Sequence, residues 1–208
     1  MNILAHRGFW TEQHEKNSMA AFKRAFDAGF GVETDIRDKD GELVISHDIP
    51  LNSVTTLHEF LEIYKQYGNQ PYLALNIKAD GLCRLLKEYL DSSRVENYFV
   101  FDMSIPDELE YIKSGLKVFT RQSEFEPLPV FYESSKGVWI DCFESDWIDY
   151  AKIMEHLSNK KQVCIVSPEL HGRPAFPVWS AFCKAPIKQN NEVFICTDSP
   201  ESARRFFK

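Results

Sequence analysis

Two histidines stand in short polar segments of the kind that carry catalytic groups. His6 opens the sequence His-Arg-Gly directly after an apolar run, and His47 is followed by Asp48. Imidazole changes its protonation state near neutral pH, so two such side chains at one site can divide proton transfer, one accepting and one donating. Cleavage of a P–O bond with a poor alkoxide leaving group requires such a pair. A single histidine is more often a satisfied core or turn residue, so this interpretation depends on both lying together.

Charged side chains of both signs accompany the histidines. Glu33 and Asp35 are two residues apart in a predicted strand, so both point to the same face. Two close carboxylates raise each other's pKa unless a cation lies between them. Because oxygen ligands favour a hard ion, the pair predicts Mg²⁺ or Ca²⁺; an ion network with Lys78 or Arg7 is the alternative. In a catalytic site, Arg7 and Lys78 would instead bind non-bridging phosphate oxygens.

Short apolar runs that alternate with amphipathic stretches must position these residues. The predicted strands are rich in Val, Ile, Phe and Tyr, as buried parallel strands are. They cover residues 2–5, 31–36, 72–77, 98–101, 117–120, 138–141, 162–166 and 193–196. The predicted helices have apolar residues on one face. They cover residues 18–28, 57–67, 81–90, 105–114, 127–133, 146–157, 174–183 and 200–207.

Eight strands alternating with eight helices is the pattern of a (β/α)₈ TIM barrel. An open doubly wound sheet is the alternative, but it would leave the first and last strands apart. The barrel is favoured because the polar residues cluster just after the strands, where barrel active sites are built. A turn at residues 38–42 and polar–apolar alternation over 42–46 predict an extra β-hairpin after the second strand. We expect the whole chain, residues 1–208, to form this one domain.

Composition limits the classes of function. The 208 residues are 44% hydrophobic and 26% charged, with a net charge of −7 at pH 7. An acidic protein lacks the basic surface that non-specific nucleic-acid binding needs. No segment approaches the ~20 apolar residues of a membrane span, and no basic amphipathic helix indicates residence on a membrane. Five cysteines without a C-x-x-C pair indicate buried reduced thiols. We therefore expect a cytoplasmic protein whose partner is a small soluble phosphodiester; the sequence leaves the oligomeric state open.

A third polar group follows the seventh predicted strand. Glu169, His171 and Arg173 alternate in the segment 167–174, where a barrel places specificity residues. The functional interpretation is recognition of a polar alcohol or sugar head group, and the alternative is a loop held by its own ion pair. Charged residues after the fourth, fifth and sixth strands are further candidates, although each singly is more often a solvated loop charge. They are Asp102, Arg121, Asp141 and Glu144.

Several spaced motifs resemble those of the glycerophosphodiester phosphodiesterase family. In order they are Ala-His-Arg-Gly from residue 5, Lys-Asn-Ser-x-x-Ala-Phe-x-x-Ala from 16, Gly-x-Glu-x-Asp from 31 and Asp-Gly-x-x-Val-x-x-His-Asp from 40. Further on, Leu-Asn-Ile-Lys from residue 75 and Thr-Asp-Ser-Pro from 197 are similar but weaker matches. The resemblance implies a TIM barrel, a divalent cation and hydrolysis of glycerol-type phosphodiesters. It also implies that His6 and His47 are the acid–base pair and that Glu33 and Asp35 bind the metal.

The chain departs from the family pattern near the implied metal site. Asn76 stands where the family has a metal-binding Glu. An amide oxygen can ligate a hard cation but carries no charge, so Glu33, Asp35 and Asn76 together would carry about −2 instead of about −3. We therefore expect weaker metal binding than in typical members. Lys16 replaces an acidic residue of the family, and the usual insertion after the His-Asp motif is reduced to residues 49–56, which implies a divergent short member.

The sequence therefore predicts metal-dependent hydrolysis of a soluble phosphodiester to an alcohol and a phosphomonoester. His6 and His47 are the acid and base, in roles that the sequence does not assign individually. A lyase or transferase that releases a cyclic phosphate is a second hypothesis, since barrels similar to the phospholipase D toxins of spiders retain the same two histidines. A degenerate barrel that binds a phosphodiester without turnover is a third, because one acidic ligand is missing.

Overall fold

The strands form one parallel sheet that curls into a barrel. A computed structural model describes residues 1–183 and 186–208 of the chain. The strands are β1 (Asn2–His6), β2 (Gly31–Lys39), β3 (Glu42–Ile45), β4 (Leu73–Ile77), β5 (Tyr98–Phe101), β6 (Phe119–Gln122), β7 (Gly137–Ile140), β8 (Gln162–Val166) and β9 (Val193–Thr197). The α-helices are α1 (Met19–Asp27), α2 (Leu57–Lys65), α3 (Cys83–Ser92), α4 (Ile105–Lys113), α5 (Tyr150–Ser158), α6 (Phe176–Cys183) and α7 (Pro200–Phe206).

The sheet is nearly closed. Its hydrogen-bonded order is β5-β4-β2-β1-β9-β8-β7-β6, and every neighbouring pair in this order is parallel. β5 and β6, the two ends of the order, are joined by an isolated parallel bridge between Val100 and Val118. β3 lies outside the barrel order and pairs antiparallel with β2. Eight parallel strands in a ring confirm the predicted TIM barrel and exclude an open doubly wound sheet.

Aromatic side chains fill the interior of the barrel. Phe99 stacks on Phe119 and Phe101 stacks on Trp139, with ring centroids 3.8 Å apart in both pairs. The same interior cluster contains Leu4, Ala74, Cys164, Val166, Phe194 and Cys196. These residues alternate along their strands with residues that face the helices, as the two-residue period of a strand requires. The interior is therefore a packed core, and it forms the floor beneath the polar side chains at the strand ends.

Two separate apolar layers cover the outside of the barrel. One packs α1–α4 on β1, β2, β4 and β5, and the other packs α5–α7 on β7–β9. In α1 the buried residues are Phe22, Phe26 and two alanines on the same face, and the side chain of Ser18 caps the helix by accepting from the N–H of Ala21. Across the described ranges, every helix falls short of the length and apolar character that crossing a bilayer requires.

Two local predictions were wrong. Residues 127–133 form turns and not a helix, because Pro129 disfavours the α conformation at Leu128 and Phe131 adopts a left-handed φ of +52°. The predicted strand at 117–120 is found two residues later, at Phe119–Gln122. The observed strand thus includes Arg121 and Gln122, whose side chains both have polar partners. The described part of the chain accordingly has seven α-helices, one fewer than predicted.

Candidate active site

Polar side chains at the carboxyl ends of the strands line one cleft of about 260 Å³. Its lining consists of His6, Arg7, Glu33, His47, Asn76, Lys78, Asp102, Arg121, Trp139, Asp141, Phe143, Val166, Leu170 and His171. The cleft lies at the barrel end where active sites of this fold are found. The structure therefore brings both predicted histidines, both predicted phosphate-binding cations and two of the three predicted metal ligands to one place.

His6 ends β1 and lies between two carboxylates. Its Nδ1–H donates to Asp198 Oδ1 at 2.7 Å, and its Nε2 lies 3.8 Å from Glu33 Oε2. Lys16 Nζ is 3.7 Å from the other oxygen of Asp198. Burial by itself would raise the pKa of Asp198, but the hydrogen bond and charge of His6, with Lys16, lower that pKa below its usual value. Because a carboxylate only accepts, Nδ1 carries the proton and Nε2 is the nitrogen left for chemistry.

The backbone turns sharply after β1, and Arg7 lies in this turn at the catalytic cleft. Arg7 has a φ of +56° and Gly8 a φ of +87°, both left-handed. A Cβ on Gly8 would lie 2.8 Å from the Cβ of Ala21, so the close approach of this turn to α1 requires glycine. The Arg7 backbone N–H donates to Glu33 Oε2 at 3.1 Å, and its Nε lies 3.1 Å from Asp35 Oδ2. The motif His-Arg-Gly thus orients one carboxylate and pairs a cation with the other.

His47 follows β3 and is the more open of the two histidines. Its side chain is 44% exposed, against 15% for His6. Nδ1–H donates to Asp48 Oδ1 at 2.8 Å, and this hydrogen bond lowers the pKa of Asp48. Arg37 donates to the carbonyl oxygen of His47 at 3.2 Å, which anchors the backbone beside the cleft. Both histidines therefore have Nδ1 committed to a carboxylate and Nε2 without such a partner.

The two carboxylates of β2 are buried beneath the histidines. Glu33 is 1% exposed, and its burial, followed by the charge of Asp35, raises its pKa to about 7. Asp35 accepts from Asn17 Nδ2 at 2.8 Å, and Lys78 Nζ lies 3.5 Å from its other oxygen. Asn17 in turn accepts from the hydroxyl of Thr34 at 2.9 Å, which fixes the orientation of its amide. The Lys-Asn-Ser motif thus contributes a residue that positions Asp35.

Among residues 1–183 and 186–208, two buried oxygens at this site find no hydrogen-bond partner, and they test the predicted metal site. They are Asp35 Oδ1 and Asn76 Oδ1, which belong to residues paired in the β2–β4 register. Together with the Glu33 carboxylate they are the hard oxygen donors that Mg²⁺ or Ca²⁺ prefers. However, Arg7 and Lys78 already lie beside Asp35. In addition, no three His, Cys, Asp or Glu side chains of the described residues are arranged so that they could hold a metal ion. The donor set therefore has the chemistry of a hard-cation site, although Asp35 already has cationic neighbours.

Ion pairs form the opposite wall of the cleft. Arg121, on β6, donates through Nη1 to Asp102 Oδ1 at 3.0 Å and through Nε to Glu126. Lys78 Nζ lies 3.9 Å from the second oxygen of Asp102. Burial raises the pKa of Asp102, and the charges of Arg121 and Lys78 oppose that effect. Asp102 therefore holds two cations at the edge of the cleft, where a phosphate oxygen could accept from them.

A second linked group completes this wall. The indole N–H of Trp139 donates to Asp141 Oδ2 at 2.9 Å, and His171 donates through Nε2 to Asp141 Oδ1 at 3.0 Å. The ring of Phe143 lies 4.9 Å from that of His171. His171 thus lies in the lining of the cleft. Its hydrogen bond to Asp141 was not among the sequence-based expectations.

Glu169 and Arg173 are not in the lining of this cleft, so the structure does not bring them together with His171 there. β8 ends at Val166 and the chain enters a 3-10 turn, so these residues do not alternate as in a strand. Glu169 accepts from the hydroxyls of Ser167 and Thr197. Arg173 donates to Asp146 and to the carbonyl oxygen of Cys142, as in the loop-stabilising alternative. Glu144, a further candidate, is exposed.

Sequence reasoning assigned no site role to Asn17 or Asp198. Both occur in motifs that resemble the family, Lys-Asn-Ser and Thr-Asp-Ser-Pro, so the motifs themselves were the available signal. Asp102, Arg121 and Asp141 were considered one at a time. The signal that they act together is topological, because each follows or ends a strand of the same barrel.

Comparisons with known proteins identify the family and agree with the fold. A model of the "Glycerophosphoryl diester phosphodiesterase family" matches residues 6–133, which is more than half of the chain. The chain is 39% identical over 64 residues to a glycerophosphodiester phosphodiesterase of Bacillus altitudinis, a match that covers 30% of this chain and only 26% of that relative.

Solved structures of low sequence identity share the fold. The glycerophosphodiester phosphodiesterase from Agrobacterium tumefaciens has a TM-score of 0.70 at 14% identity, over 99% of both chains. A phosphodiesterase of Oleispira antarctica, in complex with the product sn-glycerol-3-phosphate, has a TM-score of 0.72 at 18% identity, over 99% of this chain and 96% of that one. On the extent of the family match, the chain belongs to the glycerophosphoryl diester phosphodiesterase family.

Proposed function

We propose that this protein hydrolyses a glycerophosphodiester-like substrate to an alcohol and a phosphomonoester by acid–base catalysis with His6 and His47. The observation that carries the proposal is that these two histidines, from separate strands, line one cleft together with Arg7 and Lys78. A phosphodiester needs cations for its charged oxygens and a proton donor for its leaving group. The cleft offers both kinds of group within one small volume.

The hydrogen bonds of the histidines support a proton-transfer role. Each imidazole donates from Nδ1 to a carboxylate, Asp198 for His6 and Asp48 for His47. Such a partner fixes the ring and stabilises its protonated form, so Nε2 can take a proton and give it back. One histidine deprotonates the nucleophile, either water or a neighbouring substrate hydroxyl, and the other protonates the departing alkoxide.

The cations of the cleft would stabilise the charge that grows on the phosphoryl oxygens. Lys78 is close to Asp35 and to Asp102 without a short bond to either, at 3.5 and 3.9 Å. Its ammonium is therefore free to shift towards a phosphate oxygen. Arg7 would add a second contact from the first turn of the site. Preorganised donors of this kind give large rate effects because they need little reorganisation during the reaction.

The donors Glu33, Asp35 and Asn76 would hold a divalent cation of the Mg²⁺ or Ca²⁺ type, which supplies Lewis-acid stabilisation of a phosphoryl oxygen when bound. With Asn76 in place of a third carboxylate, we expect this cation to bind weakly and the substrate's negative charge to contribute to holding it. The Oleispira antarctica relative was solved with sn-glycerol-3-phosphate, a phosphomonoester product. We propose a product of the same class here.

The experiment is a phosphorus NMR assay of sn-glycero-3-phosphocholine with Mg²⁺, Ca²⁺ or a chelator. We expect a phosphomonoester product, and a fall of about 10³-fold in kcat for both His6→Asn and His47→Asn, because each removes one proton-transfer group. His58→Asn is the matched control, since His58 is exposed on α2 outside the cleft.

Three outcomes would reject the proposal or part of it. Full turnover in either histidine variant would reject the acid–base pair. A cyclic phosphate as the final product would assign a lyase or transferase instead of a hydrolase. Saturable binding of phosphodiesters, with no turnover across a broad set of them, would assign a binding protein on a degenerate barrel.

A further inference from the structure

The large exposed apolar side chains all lie at one end of the barrel. Within residues 1–183 and 186–208 there are seven of them: Ile49, Leu51, Ile105, Phe125, Leu128, Tyr150 and Phe176. Each lies in a segment that follows a strand, and Ile105, Tyr150 and Phe176 are the first residues of the next helices. Phe125 and Leu128 lie in the connection from β6 to β7, which contains no α-helix. By topology the seven residues, here called the apolar rim, lie towards the barrel end that carries the catalytic cleft.

Single exposed apolar residues are common on protein surfaces and by themselves mean little. The distribution is the informative feature. None of the seven lies in the connections from helices back to strands, at the opposite end of the barrel, or in the middle of a helix. Leu51 and Leu128 are 88% and 84% exposed, so their side chains project from the rim and do not fold back on the core.

We propose that the apolar rim docks the catalytic face on a zwitterionic lipid–water interface, where the enzyme takes a lipid phosphodiester by its head group. This inference rests on the proposed function for the identity of the bond that is cleaved. It replaces the expectation of an exclusively soluble substrate. The association is reversible, because separate side chains enter the interface and no helix does.

The cleft itself supports a head group and not an acyl chain as its occupant. Its walls carry His6, Arg7, Lys78, Asp102 and Arg121, and its volume is only about 260 Å³. An acyl chain would have to desolvate these charges, at a large cost. The apolar part of a lipid substrate would therefore stay outside the cleft, and the apolar rim is the surface next to which it would lie.

The arrangement of the rim favours a fluid interface over a protein partner. Its residues stand on five separate segments around an open cleft, whereas a stable protein interface needs a continuous packed patch. A second copy of the chain on this face would also cover the cleft. The net charge of −7 favours a zwitterionic surface over an anionic one, because an anionic leaflet would repel the protein.

The first test measures binding without turnover. Phosphatidylcholine vesicles are sedimented with the wild-type protein and with the double variant Leu51→Gln/Leu128→Gln. We expect the bound fraction of the variant to correspond to an affinity at least tenfold lower, since two projecting apolar side chains are lost. The matched control is Gln70→Leu/Asn191→Leu, which adds two leucines at exposed sites of the opposite end and should leave vesicle binding unchanged.

The second test compares substrates. Turnover of soluble sn-glycero-3-phosphocholine should be equal in the wild type and the rim variant. Turnover of a lysophospholipid presented in phosphatidylcholine vesicles should fall at least tenfold in the rim variant. If the vesicle-borne substrate is processed equally by both proteins, the rim has no role in substrate delivery and the inference is overturned.

Other outcomes separate this inference from the proposed function. The docking surface would be overturned if the wild type did not bind vesicles. It would also be overturned if the control Gln70→Leu/Asn191→Leu lost as much vesicle binding as the rim variant. Rim-dependent dimers in light scattering, without vesicle binding, would overturn it in favour of a second copy. Rim-dependent vesicle binding without turnover of any phosphodiester would support the docking surface and reject the proposed function.

Discussion

The two walls of the cleft are built differently. One wall comes from strands β9, β1, β2 and β4, whose ladders are continuous, so that His6 pairs in register with Glu33 and Asp35 with Asn76. The other wall comes from the ends of β5, β6 and β7. It includes the pairing of β5 with β6, which is a single bridge. Asp102 there has a left-handed φ of +70°. Of the groups proposed to do chemistry, His6, Arg7 and Lys78 thus lie at strand ends of the continuous part of the sheet, where the backbone fixes their relative positions. His47 instead follows β3, outside the barrel order.

The walls also differ in how fully their polar groups are paired. On the second wall, Asp102, Arg121 and Glu126 form one linked group, and Trp139, Asp141 and His171 form another. On the first wall, Asp35 Oδ1 and Asn76 Oδ1 lack hydrogen-bond partners. Buried polar atoms without partners lower the stability of the folded protein, but they remain available to bind a ligand or ion. We therefore expect catalysis at the first wall and substrate recognition at the second.

The strongest test of this assignment replaces one cation on each wall. Lys78→Met should lower kcat by about 10³-fold, because it removes charge stabilisation at the reacting phosphoryl group. Arg121→Met should act mainly on KM, by about tenfold, since the guanidinium is already held by two carboxylates. Steady-state kinetics on a soluble glycerophosphodiester measures both, and equal effects on kcat would remove the distinction between the walls.

A smaller effect is expected from the carboxylate behind His6. Asp198→Asn should lower kcat by about 10²-fold in steady-state kinetics, because His6 loses the carboxylate that holds its ring in place. Asp48→Asn is the comparison, since Asp48 is 92% exposed and water screens its charge. If both variants lower kcat alike, burial of the His6–Asp198 pair has no special role.

The smallest expected effect concerns stability behind the second wall. Glu108, on α4, is 6% exposed, has an unpartnered Oε1, and burial raises its pKa to about 7 from 4.5. Between these two values the folded protein binds more protons than the unfolded chain, so stability falls as pH rises. Glu108→Gln should remove on the order of 2 kcal/mol of this pH dependence between pH 5 and 8. Urea denaturation at both pH values measures it; an unchanged pH slope would contradict it.

The acidic residues of the first wall could be predicted from the sequence for a physical reason. Glu33 and Asp35 are two residues apart on a strand, so their convergence follows from the strand period alone. The second wall depends on partners far apart in the chain, such as Arg121 with Asp102 and His171 with Asp141. No local pattern encodes such pairs. Glu169 and Arg173 were misplaced because the strand ends at Val166 and a 3-10 turn changes the direction of their side chains.

The fold was predictable to a similar degree. Strands 98–101 and 162–166 were predicted at their observed bounds, because buried parallel strands are short apolar runs. The predicted helix at 127–133 is absent because Pro129 restricts the backbone of Leu128, which the apolar spacing alone does not reveal. The near closure of the barrel depends on pairing between strands distant in sequence, and only the clustering of polar strand ends indicated it.

The weak join between β5 and β6 has a mechanical consequence. Elsewhere the barrel strands share ladders of three to five paired residues, whereas Val100 and Val118 form a single bridge. Local opening of the cylinder therefore costs least at this join. Just beyond it stands the ion pair between Asp102 and Arg121. Local opening between β5 and β6 would separate the side chains of Asp102 and Arg121 and widen the entrance of the cleft. The strand pairing that aligns His6 with Glu33 would stay intact.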